Sequence, residues 1–133
     1  MVRTIVGLDI GGTKFAVVEG TLTGDILARE QQPTLGQEGF EGTFARLCGC
    51  VGAALRAARA EGRQPLALSV SIGGPLDTAR GIIYSPPNLP GWDAVPLKDL
   101  LEARFGLPAH VQHDGAAGAL AEWQWGAGRG LQN

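Results

Sequence analysis

The sequence predicts an α/β fold, and three observations support this prediction. Residues 4–8 and 15–18 are apolar runs separated by a short glycine-rich link, the pattern of two strands joined in a β-hairpin. Residues 40–58 repeat apolar side chains at steps of three and four, which indicates an amphipathic helix. Residues 66–72 are almost continuously apolar, which indicates a strand buried on both faces.

The remaining elements follow from turn and breaker residues. A turn at residues 23–25 precedes a third predicted strand at residues 26–31, and Gly62 is a plausible end for the long helix. Residues 85–96 contain four prolines, which predicts a long loop without regular structure. A short helix with Pro96 in its first turn follows, and residues 107–112 lead into a last strand.

Composition restricts the function classes. The chain has 133 residues, 44% hydrophobic and 18% charged, which fits one globular domain. A net charge of −2 without a Lys/Arg cluster argues against a nucleic-acid partner, and no apolar run is long enough to span a membrane. The start lacks a signal peptide, so we expect a cytoplasmic protein. Cys48 and Cys50 lack the partners of a zinc set, so we interpret them as free thiols and expect no zinc site within this chain.

The link between the first two strands carries groups suited to a phosphate. Gly11 and Gly12 can adopt positive φ and, without a Cβ, allow a ligand close to the backbone, where successive N–H groups form an anion-binding nest. Thr13 adds a hydroxyl group and Lys14 a positive charge. Asp9 can hold Mg²⁺ directly or through water. An ordinary hairpin with a solvated lysine and a capping aspartate would fit the same residues.

Four stretches resemble, in order, the motifs of one family. The Asp-Ile-Gly-Gly-Thr-Lys stretch at residues 9–14 resembles the first phosphate motif of sugar kinases in the actin-like ATPase superfamily, most closely that of the ROK family. Residues 73–83 resemble its Gly-Pro-x-Asp…Gly segment, residues 87–92 its Asn-Leu-Pro-Gly-Trp segment, and residues 113–122 its Asn-Asp-Ala-Asn-Ala-Ala-Ala-Leu-Gly-Glu motif. The resemblance implies an actin-like (ribonuclease-H-like) α/β domain whose mixed sheet opens with three antiparallel strands and is flanked by helices.

The resemblance also implies a site and a reaction. ATP and Mg²⁺ would serve the 6-hydroxyl of a hexose, most simply glucose, with residues 9–14 at the phosphates and Asp114 as catalytic base. Gly74, Asn88 and His113 would lie beside the sugar, together with Asp114. From position alone, the N-cap of the following helix is the favoured role of Asp114, and the resemblance reverses that preference. Asn88 and Gly74 equally suit structural roles in turns.

The chain departs from the family pattern in two residues and in length. His113 stands where the family has Asn, and Ala116 replaces its second Asn, which puts glucose specificity and activity in question. The family's Glu-x-Gly-His sugar motif, cysteine-rich zinc site and second phosphate and adenosine motifs are missing. We therefore expect residues 1–133 to be the N-terminal domain of a glucokinase-like enzyme and to be inactive alone. The family resemblance also implies that the full-length enzyme is a homodimer.

Two other classes share part of this pattern. A non-catalytic sugar-binding or sugar-sensing module related to ROK regulators would share the sugar residues. Those repressors carry a helix-turn-helix ahead of the sugar domain, whereas Met1 here leads directly into the first strand, which favours the kinase. A cytoskeletal actin-like ATPase would share the phosphate hairpin, but it gives no reason for the segments around Asn88 and Asp114.

Overall fold

The structure is a computed structural model, and it describes most of the chain. The described residues are 2–34, 39–73, 76–77, 79–84 and 91–113. Within these ranges, no helix has both the length and the apolar character needed to cross a membrane.

Eight strands and two helices make up the described part of the fold. In chain order they are β1 (Val2–Ile10), β2 (Lys14–Thr21), β3 (Ile26–Pro33), α1 (Gly39–Ala60), β4 (Arg63–Ile72), β5 (Leu76–Asp77), β6 (Ile82–Ile83), β7 (Val95–Pro96), α2 (Leu97–Phe105) and β8 (Ala109–His113). The strands predicted at residues 4–8, 15–18, 26–31 and 66–72 and the long helix are therefore confirmed, with bounds that differ by a few residues.

The central sheet is mixed and has the strand order β3-β2-β1-β4-β8. Strands β1, β2 and β3 pair antiparallel because short turns connect them, and the second turn uses Gly24 at φ 101°. Strand β1 pairs parallel with β4, and β4 with β8, because the connections through α1 and α2 are long enough to cross over the sheet. The expected antiparallel opening of three strands is confirmed.

Both helices contribute to one hydrophobic core with the sheet. Helix α1 buries the apolar face that its sequence period predicts, and Gly62 ends it with φ 78°. Helix α2 ends at Gly106, whose φ of 69° is the left-handed conformation that glycine adopts easily. The largest buried aliphatic side chains of this core include Leu8, Ile10, Leu47, Leu68, Ile72, Leu97 and Leu101.

A second, three-stranded sheet with the order β5-β6-β7 was not predicted. An Asp77 side-chain oxygen accepts the Arg80 N–H at 3.1 Å, and the Asp77 carbonyl accepts the Gly81 N–H at 2.7 Å, so Asp77 starts the β5–β6 turn. Pro96 pairs with Ile82, which corrects the prediction that residues 85–96 lack regular structure throughout. Proline is accommodated because β7 is an edge strand, where one N–H need not join a ladder.

Trp92 marks where the described end of the proline-rich loop joins the core. Its side chain is 1% exposed and meets the ring of Phe40 edge-on, with 5.0 Å between ring centroids. Gly91, at φ 85°, passes so close to α1 that an added Cβ would lie 3.3 Å from the Phe40 nitrogen. Trp92 therefore packs against α1 as a core residue.

Candidate functional site

The predicted phosphate hairpin lies at the carboxyl edge of the parallel strands. Ile10, at the end of β1, is in register with Ile72 of β4, and Ile72 is in register with His113 of β8. Two strand spacings, about 10 Å, therefore separate the backbones of Ile10 and His113. In open α/β sheets ligands bind outside this edge. The fold thus brings the ends of two sequence motifs to one side of the molecule.

The turn is defined by one backbone hydrogen bond and by the missing Cβ of Gly11. The Gly11 N–H donates to the Lys14 carbonyl at 3.0 Å, which closes the turn. The positive-φ glycines of the described chain include neither Gly11 nor Gly12, so the turn does not use the positive φ that glycine permits. Gly11 matters through its missing Cβ, because an added one would lie 3.2 Å from the Lys14 carbonyl oxygen. Among the hydrogen bonds of the described residues, none uses the Gly12 or Thr13 N–H.

Thr34, just after β3, makes two hydrogen bonds to the turn from the interior of the protein. Its hydroxyl Oγ1 donates to the Gly11 carbonyl at 2.7 Å, and its backbone N–H donates to the Thr13 carbonyl at 2.8 Å. Thr34 is fully buried. Two of the turn's carbonyl groups are therefore fixed toward the interior by a single residue.

Helix α1 in turn holds Thr34. The Thr34 carbonyl accepts the Thr43 hydroxyl at 3.0 Å and the Arg46 guanidinium at 2.6 Å. A second Arg46 nitrogen donates to the Pro33 carbonyl at 2.7 Å, and the guanidinium carbon lies 5.5 Å from the Phe15 ring centroid. This contact connects α1 to the hairpin through charge-assisted hydrogen bonds and a cation–π interaction.

A row of polar side chains starts at Asp9. In the sheet register Asp9 is beside Ser71 of β4, and Ser71 is beside Gln112 of β8, so the three side chains share one face. Asp9 is exposed, whereas Gln112 has a buried Oε1 with no hydrogen-bond partner in the described part of the chain. Oxygen-bearing side chains therefore line the face of the sheet next to the hairpin.

The residues present fit a hydrated magnesium ion better than a caged one. No group of three or more His, Cys, Asp or Glu side chains in the described ranges is placed to hold a metal. Mg²⁺ usually keeps several waters and binds through one or two carboxylates plus substrate phosphates. The exposed Asp9 carboxylate, next to the hairpin turn, is compatible with that mode of binding.

Helix α2 is tied to the start of β8 by Glu102. One carboxylate oxygen accepts the Ala109 N–H at 2.9 Å and also lies 3.0 Å from Lys98 Nζ. These contacts, the Ala109 hydrogen bond foremost, hold the pKa of Glu102 below its usual value. Burial lowers the pKa of His110 in the same strand. Glu102 thereby helps to position the strand that ends at His113.

Both cysteines are free thiols on α1. Burial is the main cause that raises the pKa of each thiol, so both stay protonated near neutral pH. The prediction of free thiols is confirmed.

The described residues contain only part of the predicted site. Asp9, Gly11, Gly12, Thr13 and Lys14 are placed together by the hairpin. His113 ends β8, but its side chain lies outside what the structure describes. Three further predicted residues, Gly74, Asn88 and Asp114, also lie outside the described residues.

Sequence reasoning missed Thr34 and Arg46. Neither belongs to a recognisable motif, and their contacts to the turn arise from the β2–β3 register and from the packing of α1. The one available signal was a threonine directly after a strand-ending proline, which is too common to indicate a role.

A sheet with the order β3-β2-β1-β4-β8, opened by a glycine-containing hairpin, defines an actin-like ATPase domain of the α/β class. Residues 5–133 match the model of the ROK family, and the chain belongs to that family.

Relatives in this family include kinases and a regulator. A glucokinase from Streptomyces coelicolor is 34% identical over 128 residues, which cover 96% of this chain and 38% of the glucokinase. A ROK family glucokinase from Streptomyces griseus, solved with glucose and AMPPNP, is 35% identical with a TM-score of 0.75, covering 96% of this chain and 38% of that one. A xylose repressor from Caldicellulosiruptor bescii is 25% identical over 128 residues, 94% of this chain and 32% of the repressor. The chain thus spans well under half the length of each.

Proposed function

We propose that residues 1–133 form the N-terminal domain of an ATP-dependent hexose kinase. The observation that carries this proposal is the hairpin turn, whose Gly12 and Thr13 amides make no hydrogen bond within the described structure at the edge where β1, β4 and β8 end. The match to glucokinases over nearly the whole chain supports it. In this proposal the remaining motifs belong to a C-terminal domain, and the 38% of those relatives that the chain spans is in keeping with such a division.

The hairpin residues bind the phosphates of ATP in this proposal. The Gly12 and Thr13 amides donate to phosphate oxygens, and the exposed Lys14 side chain adds a positive charge beside them. Asp9 would hold hydrated Mg²⁺, and the ion would supply positive charge beside the transferred phosphoryl group. Phosphoryl transfer relies mainly on such positioning and electrostatic stabilisation, so a rigid hairpin is the appropriate scaffold.

The sugar residues complete the reaction. Asp114 accepts the proton of the hexose 6-hydroxyl as that oxygen bonds to the γ-phosphorus of ATP. The bond between the γ-phosphorus and the oxygen that bridges it to the β-phosphorus breaks, and ADP leaves with the electrons of that bond. Asn88, Gly74 and His113 hydrogen-bond the other hydroxyl groups. Glucose is the leading substrate, since the Streptomyces griseus relative was solved with it, and N-acetylated amino sugars and fructose follow. We also propose that the full-length protein is a homodimer.

Hexose-dependent release of ADP tests the proposal. The polypeptide as its source cells produce it, containing residues 1–133, is assayed with ATP, Mg²⁺ and a panel of hexoses. We expect turnover with glucose or a close analogue, and no turnover by residues 1–133 alone. Asp114-dependent sugar phosphorylation by the isolated 133 residues would contradict the proposed division into two domains.

Sugar sensing is the second candidate function. The match to a xylose repressor and the presence of His113 in place of the family's Asn favour it. Imidazole can bind a hydroxyl group, but its charge changes near neutral pH. Tight hexose binding by the source polypeptide, without ATP turnover, would select this function over the kinase.

A further inference from the structure

Thr34 lies outside all four sequence motifs, yet it contacts the phosphate hairpin at two points. We propose that Thr34 is a positioning residue that aims the amides of the hairpin turn at the nucleotide phosphates. The inference rests on the proposed function for the identity of the ligand. The orienting role itself rests on the contacts of Thr34.

Because of peptide geometry, these two hydrogen bonds determine the direction in which N–H groups of the turn point. In a trans peptide the C=O and the following N–H point in opposite directions, and the described chain contains no cis peptide. Because Thr34 Oγ1 holds the Gly11 carbonyl on the inner side, the Gly12 N–H points outward. The Thr34 N–H holds the Thr13 carbonyl in the same way and thereby fixes the peptide plane that joins Thr13 to Lys14.

Thr34 is itself held rigidly enough to act as a reference point. Its side chain is fully buried, and its carbonyl accepts hydrogen bonds from both Thr43 and Arg46 of α1. A hydroxyl group that must find a buried acceptor is costly to leave unpaired, so its bond to Gly11 is maintained. Turn orientation is therefore set by the helix that covers the sheet, in addition to the strands that flank the turn.

A matched pair of substitutions separates this role from general stability. Thr34→Val keeps the size and backbone N–H of Thr34 and removes only the hydroxyl. Thr4→Val is the same change at another fully buried threonine, whose Oγ1 has no partner in the described part of the chain. Thr34→Ser restores the hydroxyl and serves as the rescue variant.

Two readouts are taken on the source polypeptide that contains residues 1–133. The first is amide hydrogen exchange at Gly11, whose N–H closes the turn, compared with amides in the core of β4. We expect exchange at Gly11 to accelerate about tenfold in Thr34→Val, with β4 unchanged, because one hydrogen bond is worth about that factor. The second is steady-state kinetics, in which KM for ATP rises about tenfold while KM for glucose stays within about twofold. Thr34→Ser and Thr4→Val should both resemble the wild type.

Unchanged Gly11 exchange in Thr34→Val overturns the inference, as does an equal rise of both KM values. Equal effects of Thr34→Val and Thr4→Val also overturn it, because they would indicate general loosening of the fold. Absence of hexose-dependent ADP release from the wild type overturns the proposed function instead. The exchange comparison then decides the orienting role by itself.

Discussion

Glu19 is a carboxylate with 2% exposure, and its charge is balanced by Arg63 at the start of β4. The Arg63 guanidinium donates two hydrogen bonds to it, at 2.9 and 3.0 Å, and so connects β2 to β4 across β1. Such bidentate pairs are geometrically specific. Removing one partner of a buried pair costs more than removing both, because the remaining charge is left without compensation.

We therefore predict that Arg63→Met lowers the free energy of unfolding, and that adding Glu19→Gln recovers part of the loss. The recovery is expected because a neutral amide needs less compensation than a buried carboxylate. Urea denaturation of the two single variants and the double variant measures it as a double-mutant cycle. A double variant less stable than Arg63→Met would contradict this explanation.

At the hairpin turn, the sequence pointed to candidate phosphate residues but gave no sign of the contacts of Thr34. Asp9 and Lys14 were proposed because a carboxylate and an ammonium beside two glycines suit a metal-bound phosphate; an ordinary hairpin fits the same residues, and the family resemblance favoured the phosphate site. Thr34 is 23 positions from Gly11 in the chain, and only the β2–β3 pairing brings the two together. Gly11 and Gly12 do not use positive φ, because glycine permits that conformation without requiring it.

At the level of the elements, the effect of a Gly→Ala substitution on stability depends on the backbone conformation of the glycine. The two helices provide one example of each direction. Gly49 lies exposed inside α1, and Gly106 ends α2 at φ 69°; an added Cβ would have nothing within 4 Å at either position. Gly49→Ala should stabilise the protein by about 0.5–1 kcal/mol, through helix propensity. Gly106→Ala should destabilise it by about 1 kcal/mol, because L-residues are strained in the left-handed region. Urea denaturation measures both, and a shift of the same sign in both variants would refute this prediction.

The contact between α2 and β8 predicts a dependence of stability on pH. The Ala109 N–H and Lys98 hold the folded-state pKa of Glu102 below its unfolded value of about 4.3. The contact therefore contributes fully above the unfolded pKa, and the contribution is lost as the pH falls through the folded pKa. Between pH 5 and pH 3, the wild type should lose stability more steeply than Glu102→Gln. Parallel curves of unfolding free energy against pH would contradict the prediction.

Elements of five or more residues could be predicted from the sequence, whereas the pairing of the two-residue strands could not. Helix α1 and strand β4 are long enough for their apolar period to be read directly. Strands β5, β6 and β7 have two residues each, so no period exists, and their pairing depends on the folded chain. Trp92 was assigned to a loop by its proline neighbours, whereas contact with Phe40 places it in the core.

For the whole molecule, the mixed sheet and its antiparallel opening of three strands were predicted from the family resemblance, whereas the full strand order comes from the structure. The sequence showed only in part which of the predicted site residues come together in the fold. Register brings His113 opposite Ile72 at the edge where the hairpin lies, which joins the first and last motifs. The positions of Gly74, Asn88 and Asp114 relative to the turn remain predictions from the resemblance.

The central claim is that this domain supplies the phosphate hairpin and the catalytic base of a hexose kinase. It is tested most directly by glucose-dependent ADP release from the source polypeptide, compared between the wild type and Asp114→Asn. The substitution preserves shape and an N-cap oxygen but removes the proton acceptor. We expect turnover by the wild type and a loss of about 10²–10⁴-fold in the variant, the usual contribution of a general base. No turnover by the wild type, or equal rates in both proteins, would contradict the claim.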